Sequence, residues 1–164
     1  MDDVDRIVAA WSHEVPELDV SPLHVLSRVN RLARHLDFTR RDAFAAHGLD
    51  GWEFDVLAAL RRGGPPYELS PGQLIQQTLS TSGTMTNRID RLAARGLVER
   101  LPDPRDRRAV RVRLLPEGRD IVVAALADLL AAEKLILAGL SREERATVAG
   151  LLRRIVQPFE TNDS

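Results

Sequence analysis

Cysteine is absent from all 164 residues, which excludes a disulfide framework, a thiol-based redox sensor and a thiolate metal site. Lysine occurs once, at Lys134, against 22 arginines; a GC-rich genome alone produces such a bias, so the places of the arginines are more informative than their number. No apolar run approaches the roughly 18 residues of a membrane span. The start, Met1-Asp2-Asp3-Val4-Asp5, is acidic where a signal peptide is basic, so the expected location is the cytoplasm, with no membrane partner. A Gly-rich phosphate loop is missing. His13, His24, His35 and His47 share no i, i+3 or i, i+4 spacing, so no metal site is expected unless two subunits converge. Serine, threonine, lysine and acid chemistry have no recognisable frame, so neither catalytic residues nor a cofactor are expected.

What is present is a local excess of positive charge. From Arg88 to Arg113 nine arginines face four acids (Asp90, Glu99, Asp103, Asp106) in a chain whose net charge is -1. A phosphate-bearing partner is the simplest reason. The stretch begins with a helix near Thr81. At about 100° per residue, Met85, Ile89 and Leu92 make its core face, and Gly83, Thr84, Asn87, Arg91 and Ala94 point the other way. Small polar residues with an Asn and an Arg suit base edges and phosphates in a major groove, which makes Ser82, Thr84, Asn87 and Arg91 candidate DNA contacts. Val98-Glu99-Arg100-Leu101 and Val110-Arg111-Val112-Arg113-Leu114 then form a basic hairpin.

Around this centre the periodicity predicts helices. One spans residues 3 to 13 and stops before Pro16. A long second begins at Ser21-Pro22, with Leu23, Leu26, Val29, Leu32 and Leu36 on one face and Arg28, Arg31, Arg34 and Arg40 on a solvated one. Residues 52 to 60 are apolar around nearly the whole circumference, so that helix is expected to be buried. Asp55 lies inside it and requires a cation or several hydrogen bonds. Ser70-Pro71-Gly72-Gln73 opens residues 71 to 78, the first helix of a helix-turn-helix. Ile121 to Leu140 carries an apolar stripe. Ser141-Arg142-Glu143-Glu144 opens a last helix with Val148, Leu151, Leu152, Ile155, Val156 and Phe159 as its buried face, and residues 161 to 164 form a frayed tail. Two such helices exceed what the small basic unit can cover, so a homodimer is expected.

Residues 51 to 120, with Leu92-Ala93-Ala94-Arg95-Gly96-Leu97-Val98 and Asp103-Pro104-Arg105-Asp106-Arg107-Arg108, resemble the MarR family of bacterial winged helix-turn-helix repressors. The resemblance implies a mainly α fold: a winged helix-turn-helix with a two-stranded β-wing and N- and C-terminal dimerisation helices. As one domain over 1–164, it assigns 51–115 to the DNA-binding lobe and 1–47 and 116–164 to dimerisation. Leu115 stands before Pro116-Glu117-Gly118 where the family usually has Thr, which removes a helix cap. By the family's Asp-x-Arg wing signature, Asp106 orients Arg108 into the minor groove, with Arg105 and Arg107 beside them as further DNA contacts. A narrow groove concentrates negative potential, and a restrained guanidinium loses less freedom on entering it.

Trp11, Glu17 to Pro22, Phe54 to Leu57 and Thr86 to Arg91 resemble the urate-responsive branch, which also has an extra N-terminal helix. That likeness implies ligand contacts at Trp11, Asp55 and Arg88. The further Arg that the branch has soon after the Trp is missing from Ser12-His13-Glu14-Val15, which leaves urate, a small carboxylate and other planar anions open. Two readings of Arg88 stand side by side: a phosphate contact at the helix surface, or a counter-ion for Asp55. Trp11 is equally accounted for by packing. The expected function is a ligand-responsive repressor that binds a pseudo-palindromic operator as a homodimer and is released by a small anion. A winged-helix protein-association module without ligand response is the alternative, disfavoured by the small polar face of residues 83 to 94.

Overall fold

The first helix starts where two aspartates cap each other. The Asp5 N–H donates to Asp2 Oδ1 (3.0 Å) and the Asp2 N–H to Asp5 Oδ2 (2.8 Å), satisfying two donors that a helix start leaves open. In this computed structural model, which describes residues 1–78, 80–104 and 109–160, α1 runs Asp3–Glu14 and buries Val4 and Val8. It packs on α2 (Leu23–Ala45), which starts one residue after Pro22. Two arginines expected to be solvated are the docking surface for α1. Arg28 reaches Asp2 at 2.9 Å and Asp5 at 2.6 Å, and Arg31 reaches Asp3 at 3.2 Å. Arg28 is the main cause holding the Asp2 carboxyl below its ordinary range; for Asp5 the Asp2 backbone N–H comes first and Arg28 second.

The helix α3 (Gly51–Arg62) is buried as its apolar circumference predicts, with Val56, Leu57, Ala59 and Leu60 enclosed. Phe54 stacks on Phe44 of α2 with ring centroids 4.0 Å apart. Gly64 (φ 72°) and Tyr67 (φ 63°) then turn the chain into β1 (Glu68–Leu69). Ser70 and Gln73 cap each other at 2.9 and 3.2 Å to open α4 (Pro71–Thr78), and α5 (Ser82–Ala94) follows. Its Met85, Ile89 and Leu92 join Leu74, Val98, Val112 and Leu114 in the core.

The wing strands β2 (Val98–Pro102) and β3 (Val110–Leu114) pair antiparallel, from Val98 opposite Leu114 to Pro102 opposite Val110. Beyond the expected two-stranded wing, β1 adds a third strand at its base, opposite Arg113 and Val112, in the order β1-β3-β2. Two residues are too few to carry a period of two, so no pattern announces this strand.

No side chain caps α6 (Pro116–Ile136), in keeping with Leu115 at its start. The Leu115 N–H instead donates to the Leu97 carbonyl at 3.0 Å. Gly118 sits so close to that carbonyl and to Leu114 that no Cβ fits. Val122, Ala125 and Leu129 carry α6 into the core. The mutual cap of Ser141 and Glu144, at 2.7 and 3.2 Å, opens α7 (Arg142–Glu160). Within one chain the face from Val148 to Phe159 is uncovered, the surplus apolar surface on which the expectation of a dimer rests; no described α7 residue is buried, and Phe159 is 72% exposed. Val25, Leu26, Val29 and Leu32 of α2 and Leu126 and Leu130 of α6 are exposed too. The tail at 161–164 lies outside the described residues. Among the described residues no helix is long and apolar enough to cross a membrane.

Candidate nucleic-acid interface

With its core face fixed by Met85, Ile89 and Leu92, α5 turns Ser82, Gly83, Thr84, Asn87 and Arg91 outward, all exposed. Thr81 donates its hydroxyl to Thr84 Oγ1 at 2.8 Å across the first turn. Gly83, Thr84, Asn87, Arg88 and Arg91 line an open groove of about 490 Å³, closed on one side by Trp52 of α3. Asn87 and Thr84 offer donors and acceptors there, and two guanidiniums supply charge, a combination suited to base edges flanked by phosphates.

The strands are less available than their composition implies. Arg111 pairs with Asp103 at 2.8 Å, and Arg113 with Glu68 at 2.6 Å and Glu99 at 3.2 Å. Arg100 pairs with Asp90 at 2.7 Å and Arg95 with Glu53 at 2.7 Å. Of the six described arginines in this stretch, these four therefore each meet a carboxylate within 3 Å, and Glu68, outside the counted stretch, is one reason. Arg113 is held above its ordinary value chiefly by its hydrogen bond to Glu68, so it is firmly charged yet locally neutralised. The wing-tip set, Arg105, Asp106, Arg107 and Arg108, lies outside the described residues.

The residues expected to hold a ligand are not brought together in one chain. Trp11 is 53% exposed on α1. Asp55 pairs with Arg40 at 3.2 Å, and Arg88 donates to Ser80 Oγ and lies against Trp52. Among the described residues no hydrogen bond, ion pair or ring contact joins any two of the three. The reading of Arg88 as counter-ion to Asp55 is thus corrected: Arg40 takes that place, because α2 crosses α3 beside Asp55. Arg40 also lies 5.1 Å from the Phe44 ring centroid and 5.9 Å from that of Phe54, so a guanidinium, a carboxylate and two aromatic rings meet at the α2–α3 junction. Nor is Asp55 the buried carboxylate of α3. Its side chain is 48% exposed, whereas Glu53 is 3% exposed, accepts from the Asp50 N–H at 2.9 Å and faces Arg95.

Sequence reasoning assigns no role to Trp52 or Glu53 and reads Arg40 as solvated, whereas Arg40 pairs with Asp55. The place of Trp52 and Glu53 in the first turn of a buried helix is a signal, but it does not tell which neighbour each will meet. Among the described residues no group of three or more His, Asp or Glu converges as a metal site would require.

A helix-turn-helix whose second helix turns a polar face outward, beside a three-stranded sheet that carries the wing strands, defines a winged helix-turn-helix protein. The model of the MarR family matches residues 47–109. Over 98% of this chain and 96% of the other, the sequence is 34% identical to the HTH-type transcriptional regulator PecS of Dickeya dadantii. It is 31% identical to the HTH-type transcriptional repressor NicR of Pseudomonas putida, over 87% of this chain and 91% of that one. The chain belongs to the MarR family of helix-turn-helix transcriptional regulators, which are not enzymes. Among solved structures it is similar to BpsR of Bordetella bronchiseptica, whose DNA binding is regulated by 6-hydroxynicotinic acid. That match has a TM-score of 0.61 and 30% identity, over 77% of this chain and 91% of that one.

Proposed function

We propose that the protein is a ligand-responsive repressor that binds a pseudo-palindromic operator as a homodimer. The observation that carries this reading is the α5 surface: a short polar face with Asn87 and Arg91 outward, on a helix whose other side is locked into the core. The uncovered apolar faces of α2, α6 and α7 support assembly of two chains. Two α5 helices then address half-sites about one helical turn apart, roughly 10 base pairs, while Arg108, held by Asp106, enters the minor groove. The repressor named among the relatives supports the sign of regulation.

For the ligand, a small planar anion such as urate or a heteroaromatic carboxylate is the proposed class, in keeping with the acid that regulates BpsR. Trp11, Asp55 and Arg88 are the contacts implied by the family likeness. The geometry favours Arg40 over Arg88 as the cation that meets the ligand, since Arg40 already lies over two aromatic rings. An anion there competes with Asp55 for the guanidinium. Its effect on DNA requires that it bind the DNA-free conformation more tightly than the bound one. The test is a gel-shift assay on DNA upstream of the protein's own gene, repeated with a panel of metabolites. A specific shift reversed by a planar anion is expected. A shift insensitive to every anion contradicts the ligand half, and no specific shift contradicts the operator half.

A further inference from the structure

Trp52 stands at the second position of α3, and the two arginines of the α5 groove rest on its indole. The Arg88 and Arg91 guanidinium carbons lie 5.4 and 4.8 Å from the ring, within cation–π range. Three residues apart on one helix, they share a face, so a single ring serves both. The ring is itself tethered: its Nε1–H donates to Asp50 Oδ2 at 3.3 Å. Asp50 is held in turn at the start of α3, where its backbone N–H donates to Glu53. Arg88 takes a second hold on Ser80 Oγ, in the turn before α5.

The contrast with the wing strands gives this arrangement its meaning. Arg111 and Arg113 are bound to carboxylates at 2.8 and 2.6 Å, which restrain them and cancel their charge. An aromatic face restrains a guanidinium and carries no net charge. The carboxylate nearest Arg91, that of Asp50, lies at 3.9 Å with both side chains more than half exposed, where solvent screens the pair. Arg88 and Arg91 are therefore oriented without being neutralised, the state that an arginine meeting phosphate or a guanine edge requires.

We propose that Trp52 is a positioning residue for DNA recognition, whose indole face sets the spread of Arg88 and Arg91 over one half-site. The inference rests on the operator-binding reading above and deepens it: Arg88 belongs with the DNA-contacting residues, and α3 contributes to sequence reading without itself lying in the groove.

The test uses the full chain, a labelled duplex that the wild-type protein selects from a randomised pool, and a scrambled duplex of the same composition. Affinities are measured by fluorescence anisotropy over a salt series. Trp52→Ala is expected to weaken binding to the selected duplex on the order of tenfold. Binding to the scrambled duplex should change by less than about twofold, with the salt dependence unchanged, because both charges remain. Trp52→Phe, which keeps an aromatic face, should recover most of the loss. In a protein that also carries Arg88→Ala and Arg91→Ala, Trp52→Ala should cost nothing further, since the ring then has nothing to position.

Equal losses on the two duplexes, or the same loss with and without the arginines, would overturn the inference. Should Trp52→Ala fail to fold, a second readout remains. The chain has two tryptophans, so in Trp11→Phe all indole emission comes from Trp52. The selected duplex must change that emission, and an unchanged spectrum on binding overturns the inference. A wild-type protein that selects no duplex is a different outcome, which removes the operator-binding reading and this inference with it.

Discussion

Removing Arg95 should loosen the recognition helix from the body of the lobe. Glu53 is the one buried charged side chain among the described residues, at 3% exposure, and Arg95, at the C-terminal end of α5, faces it at 2.7 Å. Arg95 also donates to the Gly48 carbonyl at 3.0 Å, so one guanidinium joins α5, the start of α3 and the loop after α2. Arg95→Met keeps much of the side-chain volume and strands the Glu53 carboxylate. Breaking a fully buried pair from one side costs about 3–5 kcal/mol. Here the Arg95 side chain is 38% exposed, so water reaches the vacated side and the expected cost is about 1–3 kcal/mol. At about 2–4 °C per kcal/mol for a chain of this size, the melting temperature should fall by roughly 3–10 °C. Thermal unfolding followed by circular dichroism measures it, at fixed protein concentration because a dimer's melting depends on concentration. Adding Glu53→Leu should recover part of the loss, since no buried charge is then unpaired. A fall below about 1 °C in Arg95→Met, or no recovery in the double variant, would refute the reasoning.

Gly118→Ala must push a methyl group into the Leu97 carbonyl and Leu114, and should cost about 2 kcal/mol or more in a denaturant titration. Docking of α1 should be insensitive to pH from neutrality to about pH 4 and fail only below it. The Asp2 and Asp5 carboxyls are held below their ordinary 3.8, so their contribution is complete above that value and is lost as pH falls through the lowered ones. Trp11 emission in Trp52→Phe reports it, and Arg28→Ala should move the transition to higher pH. Arg108→Ala should weaken operator binding by on the order of 1–3 kcal/mol with melting unchanged. Arg113→Ala, whose guanidinium is already paired, should do the reverse in an anisotropy and melting comparison.

How much of this can be read from the sequence depends on how far away the deciding partner lies. The core face of α5 at Met85, Ile89 and Leu92, the bounds of α4 and the caps at Ser70 and Ser141 follow from residues within a few positions, and all are legible. Glu53 and Asp55 stand two apart on one helix. Which of them is buried is decided by Arg95 and Arg40, 42 and 15 residues away along the chain, and helical angles alone do not contain that information. The same holds for Glu68, 45 residues from the Arg113 it neutralises, and for the aspartates of α1 that occupy Arg28 and Arg31. The apolar face of α7 is plainly written in the sequence, and among the described residues nothing buries it. The α5 groove was legible as a polar surface. Its aromatic wall was not, because Trp52 reads as one more apolar residue of a buried helix.

Hydroxyl-radical footprinting on a duplex selected by the wild-type protein tests most directly whether two α5 helices read one operator. Two protected patches with centres about 10 base pairs apart, related by the symmetry of the site, are the predicted result. A single isolated patch, or uniform protection without register, would contradict it.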